Sequence, residues 1–353
     1  MGLLRNMVYF SHNPLFTNFG PEQKESRPSI AETKTKNILI LGGAGFLGAN
    51  LVRRCLQEPN VKITVVDLLD PLFQSKIENL SAVSDRIEFI RGDIRDTTLL
   101  ARLVPGQEII FNCVAQTSHP LSVQNPVFDT EITCISQLRL LEAMRDYNRE
   151  AVLVYPSSST VVGKAVGDVI DENHSEKPLD IYSANKGVAE KYCRIFHKVF
   201  DLKTAVLRFS NLYGPFGKAD PSFGFLNYFI HLASLDKIIE IWGDGEQTRN
   251  IMFVDDAAEI MWQAAHSPKL FGETYFAVHS DHHSVREVAQ TIIDVFGKGR
   301  IELKPWPDFR KRIEIERVLF SGARLHYHTG WRPQYSLQEG LRLTKERMEN
   351  SNY

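Results

Sequence analysis

Residues 37–48 read NILILGGAGFLG, an apolar run followed at once by glycines at positions 42, 45 and 48. The run predicts a buried strand, and the residues after it predict the start of a helix. Glycine permits a tight turn, lets a pyrophosphate approach the backbone, and packs a helix closely against a strand, while unpaired N–H groups at the helix N-terminus attract anions. The stretch therefore predicts the first βα unit of a dinucleotide-binding sheet.

The same alternation of apolar runs and amphipathic stretches continues along the chain. Five further runs are KITVV (62–66), RIEFI (86–90), EIIFNCV (108–114), AVLVY (151–155) and KTAVLRF (203–209). Nearly continuous β-branched runs are typical of strands that are buried on both faces of a parallel sheet. Helices are predicted at 46–57, 131–146 and 183–200. The alternation predicts an α/β protein with a doubly wound parallel sheet, the Rossmann fold.

The pattern changes after about Leu207, where glycine, proline and aromatic residues become frequent. A strand-like GETYFAV (272–278) precedes a helical stretch at 284–297, and a last helix begins near Leu337. This change predicts a smaller α/β carboxy-terminal lobe. The predicted division is an amino-terminal extension at 1–36, a dinucleotide-binding domain at 37–207, and a substrate lobe at 208–353, of which about 240–266 return to the first domain.

Composition narrows the possible partners. In a chain of 353 residues the net charge is -2, which gives no electrostatic reason to expect a nucleic acid partner. No stretch reaches 18 apolar residues, so we expect no membrane span. The cysteines are widely spaced and form no metal-binding or disulfide pattern. They are Cys55, Cys113, Cys134 and Cys193. We therefore expect reduced thiols, a cytoplasmic location and no metal site.

An acidic residue at the end of the second predicted strand indicates which dinucleotide is bound. Asp67 follows Gly48 by 19 residues, where a carboxylate can accept hydrogen bonds from both ribose hydroxyls. A 2′-phosphate would be repelled there, and neither Leu68 nor Leu69 supplies a cation. The sequence therefore favours NAD over NADP. The GDI at 92–94 would place Asp93 and Ile94 beside the adenine.

Two further motifs predict redox chemistry. Tyr182 and Lys186 are four residues apart, so on a helix they share one face. A tyrosine of ordinary pKa, about 10, is almost fully protonated at neutral pH, and we expect the ammonium and a charged nicotinamide to favour the phenolate. The hydroxyl-rich YPSSSTVVG (155–163) ends another strand. Ser158 is our candidate for a hydroxyl that shares the substrate oxygen with Tyr182, with Ser157 and Ser159 as alternatives.

An ordered series of motifs over about residues 37–345 then carries a resemblance. The series comprises GGAGFLG, VAQTS (114–118), YSANK, RFSNLYGP (208–215), WGDGEQTRN (242–250), VDD (254–256) and GWRP (330–333). It resembles the extended short-chain dehydrogenases/reductases that epimerise or dehydrate nucleotide sugars, most of all the UDP-glucose 4-epimerase type. The resemblance implies that NAD stays bound while a hydroxyl of a nucleotide-diphosphate sugar is oxidised. It also implies a homodimer formed by helices near 131–146 and 183–200.

The resemblance also assigns site residues. Those implied for catalysis are Ser158, Tyr182 and Lys186. Those implied for the cofactor are Gly42, Gly45, Phe46, Leu47, Gly48, Asp67, Asp93, Ile94, Val114, Ala115, Gln116, Tyr182, Lys186 and Phe209. Those implied for the substrate are Thr117, Ser158, Asn211, Arg249 and Arg312, of which Asn211, Arg249 and Arg312 match positions near the diphosphate.

The strand end distinguishes between reactions within this group. Dehydratases resemble STDEVYG there, with an Asp and a Glu that move protons, whereas this chain carries Ser159 and Thr160. The pattern resembles the SSSATVYG of 4-epimerases, in which Tyr182 would take the C4 hydroxyl proton and a hydride would leave C4 and return to its opposite face. The alternatives are a 4-ketoreductase or decarboxylase, and a non-catalytic NAD-binding protein. Epimerisation at C3 and C5 would need another acid/base pair, for which Cys113 with His119 is the nearest candidate.

Overall fold

The structure, a computed structural model, describes residues 35–164, 169–306 and 319–350. Its main sheet consists of β1 (Lys36–Leu41), β2 (Val61–Asp67), β3 (Ile87–Arg91), β4 (Ile109–Asn112), β5 (Val152–Ser158), β6 (Lys203–Phe209) and β10 (Thr274–Ala277). All neighbouring strands are parallel, in the order β10-β6-β5-β4-β1-β2-β3. The predicted Rossmann fold is confirmed.

Helices cover both faces of this sheet. They are α1 (Phe46–Cys55), α2 (Thr97–Leu103), α3 (His119–Gln124), α4 (Pro126–Thr130), α5 (Ser136–Tyr147), α6 (Ile181–Phe200) and α8 (Val254–Ala265). A wider helical turn, Glu131–Ile135, joins α4 to α5. Side chains of α1 and α8 pack on one face of the sheet, and those of α2, α5 and α6 pack on the other. Ile38, Leu39, Ile40 and Leu41 of β1 are fully buried between the two layers, which accounts for the unbroken apolar run.

The carboxy-terminal part has its own small core. Its strands are β7 (Asn211–Tyr213), β8 (Ile238–Trp242), β9 (Thr248–Phe253), β11 (His282–Ser284) and β12 (Arg300–Lys304). Its helices are α7 (Phe225–Ser234), α9 (Val285–Phe296), α10 (Ala323–Thr329) and α11 (Leu337–Glu349). Strands β11, β9 and β7 form one sheet, and β8 pairs with β12. Apolar residues of α7, α9 and α11 pack over these strands.

Two carboxy-terminal segments join the main sheet. Helix α8 packs against α1, and β10 extends the sheet by pairing in parallel with β6, Thr274 opposite Val206. The sequence pattern predicts β10 as a strand but gives no sign that it belongs to the first sheet, because strand pairing depends on residues about 70 positions away. The division of the chain into two domains stays a prediction.

The strand order sets the position of the candidate site. The chain runs outward from β1 to β3 and then returns to β4 on the other side of β1, so the crossover connections separate at the carboxyl ends of β1 and β4. Ligands of open parallel sheets bind at such a point. The glycine turn after β1 and the predicted residues Val114, Ala115 and Thr117 after β4 all lie there. Within the described residues, no helix has both the length and the apolar character that crossing a membrane requires.

Candidate active site

A cavity of about 320 Å³ lies at this end of the sheet. Its wall includes most of the residues predicted for the cofactor, the substrate and catalysis. These are Gly42, Gly45, Phe46, Leu47, Gly48, Asp67, Asp93, Ile94, Val114, Ala115, Thr117, Ser158, Tyr182, Lys186, Phe209 and Asn211. Residues from seven segments of the chain thus converge on one cavity.

The glycine turn is shaped for close contact. Gly42 has a φ of +75°, and a Cβ there would lie 2.9 Å from the backbone nitrogen of Val114. A Cβ on Gly48 would lie 2.2 Å from the carbonyl oxygen of Gly42, so α1 approaches the turn too closely for any side chain at this position. The N-terminus of α1 has no side-chain cap, since its N-cap is Gly45. Its N–H groups therefore suit the pyrophosphate of a dinucleotide.

Asp67 forms part of the cavity wall at the end of β2. One carboxylate oxygen accepts a hydrogen bond from the backbone N–H of Ala44 at 3.0 Å, and the other accepts from Ser75 and from the N–H of Leu69, both at 2.9 Å. These bonds hold the carboxylate firmly and leave it with spare acceptor capacity for ribose hydroxyls. The glycine turn and Asp67 together fit an NAD molecule.

Tyr182 and Lys186 lie in the first half of α6, which Asp180 caps by accepting a hydrogen bond from the N–H of Ser183 at 2.8 Å. Tyr182 is 8% exposed and Lys186 is 3% exposed. The Lys186 ammonium donates to the carbonyl oxygen of Pro156 at 2.8 Å and lies 4.5 Å from the centre of the Tyr155 ring. Burial lowers the pKa of Lys186 to about 8.

The expected effect of the ammonium on the tyrosine is not observed. Burial raises the pKa of Tyr182 above its ordinary value, and the hydrogen bond with the Ser158 hydroxyl opposes this only in part, while Asp180 and Asp129 raise the pKa further. Burial is the largest contribution to this shift, and Lys186 donates its hydrogen bond to the carbonyl oxygen of Pro156. In the protein alone, Tyr182 is therefore a protonated hydrogen-bond donor.

The strand-end hydroxyls have separate partners. Ser158 lies 2.8 Å from the hydroxyl of Thr160, which also accepts a hydrogen bond from Ser183 at 2.8 Å. Ser157 instead donates to Glu190 of α6. Of the three candidate serines, Ser158 is the one whose hydrogen bond affects Tyr182. Ser159 is buried and also lies on the cavity wall.

Three features of the cavity were not predicted from the sequence. The first is Lys218, whose ammonium donates to the Thr117 hydroxyl at 3.0 Å and lies 3.9 Å from the centre of the Phe223 ring. Among the described residues no carboxylate is within ion-pair distance of it, and burial lowers its pKa to about 8. Asp67 and Asp220 are its charged neighbours. Lys218 lies three residues after the RFSNLYGP motif. This proximity was the signal in the sequence that could have pointed to Lys218 as a site residue.

The second feature is the N-terminus of α7. Its N-cap is Gly224, which offers no side-chain cap, and residues 224–227 line the cavity. The third is a hydrogen-bonded pair, His119 and Asp180, with His119 on the cavity wall. Cys113, the nearest candidate for an acid/base partner of His119, is not its hydrogen-bond partner, and burial raises the pKa of the Cys113 thiol to about 12. Both findings favour a structural role for Cys113.

The NAD dependent epimerase/dehydratase family model matches residues 38–276. The chain belongs to this family. It is thereby an extended short-chain dehydrogenase/reductase, as the motif series predicted, and NAD is the cofactor on which the family depends.

Relatives in the family carry out more than one reaction. The UDP-glucose 4-epimerase of Mycolicibacterium smegmatis is 30% identical over 321 residues, which cover 89% of this chain and 99% of that protein. The human dTDP-D-glucose 4,6-dehydratase is 26% identical, with 88% of this chain and 89% of that protein covered. Membership alone therefore leaves epimerisation and dehydration open.

Solved structures of family members share the fold along nearly the whole chain. The Thermotoga maritima UDP-glucose 4-epimerase with UDP-glucose superposes with a TM-score of 0.80 at 26% identity, covering 90% of this chain and 100% of that chain. The Thermus thermophilus UDP-glucose 4-epimerase complex with NAD gives a TM-score of 0.77 at 28% identity, covering 89% of this chain and 99% of that chain.

Three residues predicted for this family site are not on the described cavity wall. Gln116 is buried behind it, where its amide donates to the carbonyl of Ser118 and to Asp129. Arg249 lies in β9 opposite His283 of β11 and donates to the carbonyl of Thr248. Arg312 lies outside the described residues. The diphosphate contacts assigned to Arg249 and Arg312 thus stay predictions.

Three histidines, His279, His282 and His283, lie close together in the sequence. His282 and His283 belong to β11, and His283 lies 2.8 Å from Glu287. Within the described ranges, no group of three or more His, Cys, Asp or Glu side chains is arranged to hold a metal ion.

Proposed function

We propose that this chain is an NAD-dependent nucleotide-sugar 4-epimerase. The observation that carries the proposal is the kind of side chain around Tyr182. Among the described residues that line the cavity, the only carboxylates are Asp67 and Asp93, at the ends of β2 and β3. Dehydratases of this type carry an Asp and a Glu at two positions at the end of this strand. This chain has Ser159 and Thr160 there, whose hydroxyls are poor acids and bases at neutral pH. Oxidation and reduction at one carbon need neither carboxylate.

Side chains of α6 and of the end of β5 supply the proton chemistry. Tyr182 takes the proton of the C4 hydroxyl, and Ser158 donates a hydrogen bond to the same oxygen. Lys186 holds positive charge next to this oxygen and fixes the strand end through Pro156. The glycine turn and Asp67 would hold NAD, which when bound would supply the acceptor, and then the donor, of the C4 hydride. After the second transfer, Tyr182 returns its proton to the C4 oxygen.

The dinucleotide also explains how Tyr182 can act as a base. Burial, together with the nearby Asp180 and Asp129, keeps the phenol protonated in the protein alone. A positive charge brought into the same desolvated space favours the phenolate strongly, since charges interact strongly at low dielectric. We infer that Tyr182 acquires its basicity only in the complex with the oxidised cofactor.

Two of the unpredicted features support a diphosphate-bearing substrate. Lys218 is a partly buried ammonium whose described hydrogen-bond acceptor is only the Thr117 hydroxyl, so an anion in the cavity would give it a stronger partner. The uncapped N-terminus of α7 offers backbone N–H groups on the same wall. Asn211 lies nearby and is held by the carbonyl of Asn250 at 2.9 Å. We propose that these groups bind the nucleotide diphosphate.

The test is turnover without added cofactor. Purified full-length chain, incubated with UDP-, GDP-, CDP- and ADP-sugars, should convert one of them into its 4-epimer with no net formation of NADH. Tyr182→Phe should abolish this conversion and retain bound NAD, while Tyr192→Phe, on the same helix, should leave it intact. Loss of water, release of carbon dioxide or stoichiometric use of NAD(P)H would contradict the proposal and identify a dehydratase, decarboxylase or ketoreductase. Bound NAD without turnover of any sugar would support a non-catalytic protein.

We also propose a homodimer. Helices α5 and α6 expose large apolar side chains at Tyr147, Ile195 and Val199, and the turn before α5 exposes Ile135. Exposed apolar side chains on two helices that pack against each other suit an interface with a second copy of the chain. Analytical ultracentrifugation should give twice the chain mass, and Ile195→Lys combined with Val199→Lys should give the single-chain mass. A wild-type monomer at micromolar concentration would contradict the proposal.

Buried reduced thiols at Cys55, Cys134 and Cys193 are consistent with the proposed cytoplasmic location.

A further inference from the structure

His119 and Asp180 form a pair beside the proposed redox site. Nδ1 of His119 lies 2.6 Å from a carboxylate oxygen of Asp180. His119 is the first residue of α3, and Asp180 is the N-cap of α6, the helix that carries Tyr182 and Lys186. The other Asp180 oxygen accepts the hydrogen bond from the N–H of Ser183 at 2.8 Å. One carboxylate therefore fixes both the imidazole and the start of the catalytic helix.

The imidazole faces the place where a substrate would meet Tyr182. The His119 ring lies edge-on to the Tyr182 ring, with 4.9 Å between the ring centres and 74° between the ring planes. The His119 side chain is 44% exposed and lies on the cavity wall, whereas Asp180 is 19% exposed. The open part of the pair is thus the imidazole, and the carboxylate lies behind it.

This arrangement defines the chemistry of the ring. A carboxylate at Nδ1 accepts a hydrogen bond from Nδ1–H, which fixes the tautomer with the lone pair on Nε2 and lets Nε2 accept a proton. The bond to His119 lowers the pKa of Asp180 despite burial, so Asp180 stays a carboxylate. Among the described residues, Asp180 is the hydrogen-bond partner of the ring. Nε2 is therefore the ring nitrogen that Asp180 does not contact, on a side chain that lines the cavity.

A role in folding alone explains the pair less well. The N–H of Ser183 already gives Asp180 a partner for capping, and Asn or Ser would cap α6 equally well. A half-exposed histidine adds little stability as a surface ion-pair partner. Neither consideration accounts for an imidazole placed edge-on to the tyrosine that the proposed reaction needs.

We propose that His119, oriented by Asp180, is a second acid/base of the site and exchanges the hydrogen on a ring carbon next to the transient ketone. The inference rests on the proposed function, because that carbon becomes acidic only after oxidation at C4. Nε2 takes the proton from the neighbouring carbon, and the C–H electron pair forms the carbon–carbon double bond of an enolate. The carbonyl π pair moves to the C4 oxygen, where Tyr182 and Ser158 donate hydrogen bonds.

The reverse step restores the ketone. The imidazolium returns a proton to the carbon, the enolate electrons re-form the C–H bond, and no group leaves the sugar. Because an imidazolium proton exchanges with water, the returned hydrogen comes from solvent. If the proton is returned to the opposite face, the neighbouring carbon is inverted. The substrate class is therefore a nucleotide-linked sugar that carries a hydrogen on a carbon beside C4.

The experiment is turnover in heavy water. The full chain is incubated in D₂O with the nucleotide sugar that it converts, and deuterium at C3 and C5 is measured by NMR and mass spectrometry together with the yield of 4-epimer. We expect deuterium at one of these carbons in the wild type. His119→Gln keeps a donor for Asp180 but provides no base, and the ratio of deuterium incorporation to 4-epimer formation should fall by about a hundredfold, a typical contribution of a general base.

Two variants separate this role from folding. Asp180→Asn retains an N-cap but presents an amide in place of the carboxylate, and should lower the same ratio while the helix content stays that of the wild type. His283→Gln breaks a similar pair, with Glu287 at 2.8 Å, outside the described cavity wall, and should leave the ratio unchanged. An unchanged ratio in His119→Gln would overturn the assignment of His119.

The outcomes distinguish the two proposals. Formation of 4-epimer without deuterium at C3 or C5 in the wild type overturns the inference and leaves the proposed function standing. Absence of both 4-epimer and deuterium overturns both. Deuterium incorporation accompanied by loss of water supports His119 as a base and overturns the 4-epimerase assignment.

Discussion

The ammonium of Lys186 donates a 2.8 Å hydrogen bond to the carbonyl oxygen of Pro156. The bond joins the catalytic helix α6 to the end of β5, two residues before Ser158. The pKa of Tyr182 in the protein alone is raised mainly by burial. In the proposed reaction, Lys186 fixes the position of the strand end and places a positive charge near the oxygen of the bound substrate.

Burial of Lys186 predicts a pH-dependent stability. Its pKa is lowered from 10.5 to about 8 in the folded chain, so between these pH values the unfolded chain holds the proton and the folded chain does not. The free energy of unfolding should therefore rise with pH across this window, by about 3 kcal/mol in total from Lys186 at about 1.4 kcal/mol per pH unit. Below pH 8, Lys186 is charged in both states, and the free energy of unfolding is lowered by the full cost of burying the ammonium.

Denaturant unfolding of wild type and Lys186→Met at a series of pH values checks this. Lys218 has a similarly lowered pKa and titrates in both proteins, so the difference between their curves isolates Lys186. Lys62→Met, at an exposed position on β2, is the matched control and should show the wild-type slope. A wild-type slope in Lys186→Met would mean that Lys186 is not desolvated.

A buried charge network fixes the position of α6. Arg208, which is 4% exposed, donates to Glu190, which is 3% exposed, at 2.6 Å and to Glu176 at 2.7 Å. Arg208→Met leaves the Glu190 carboxylate buried without its cation, and should destabilise the fold by about 3–5 kcal/mol. Lys203→Met removes an exposed pair with Glu150 and should leave the unfolding midpoint unchanged. Equal midpoints for the two variants would contradict the role of the network.

The glycine turn predicts that folding and cofactor binding can be separated. Gly48→Ala would place a Cβ 2.2 Å from the Gly42 carbonyl and should destabilise the fold strongly. Gly45 has a φ of -80°, and its Cβ would lie 3.4 Å from the same carbonyl, an ordinary contact. Gly45→Ala should therefore fold normally but lose affinity for NAD, because the methyl group points towards the anion site. Thermal unfolding and titration with NAD measure both effects; full NAD affinity in Gly45→Ala would contradict the site.

Lys218 should affect binding of the substrate more than the chemical step. If its ammonium contacts a phosphate in both the ground state and the transition state, Lys218→Met raises KM by about tenfold to a hundredfold and changes kcat little. Lys237→Met, an exposed lysine after α7, is the control. Steady-state kinetics with the converted nucleotide sugar decides the point. A loss confined to kcat would remove Lys218 from the diphosphate site.

Local patterns in the sequence predicted the fold and much of the candidate site. The buried strands β1 to β6, the glycine turn and the Tyr182–Lys186 spacing depend on residues close together in the chain, and the structure contains each of them. What the sequence did not reveal depends on long-range packing. Lys218 meets Thr117 across 101 positions, and His119 meets Asp180 across 61. Neither pairing produces a periodic signal, because each arises only once the sheet order is set.

The direction of the Tyr182 pKa shift shows the same limit. Sequence spacing indicates that an ammonium and a phenol share a helix face, but the balance of burial and charge depends on every group packed around them. Here the ammonium donates to the carbonyl oxygen of Pro156, and desolvation is the largest contribution to the pKa of Tyr182. A YxxxK motif therefore predicts which residues carry the chemistry and leaves their protonation in the free protein undetermined.

The central claim is that the hydrogen removed from C4 is returned to C4. A substrate labelled with deuterium at C4 tests this claim most directly. The nucleotide sugar that the chain converts is incubated with wild type in ordinary water without added NAD. We predict that both 4-epimers retain the deuterium at C4, and that Tyr182→Phe forms no second epimer. Appearance of the second epimer with hydrogen in place of deuterium at C4, or at the wild-type rate in Tyr182→Phe, would contradict the account.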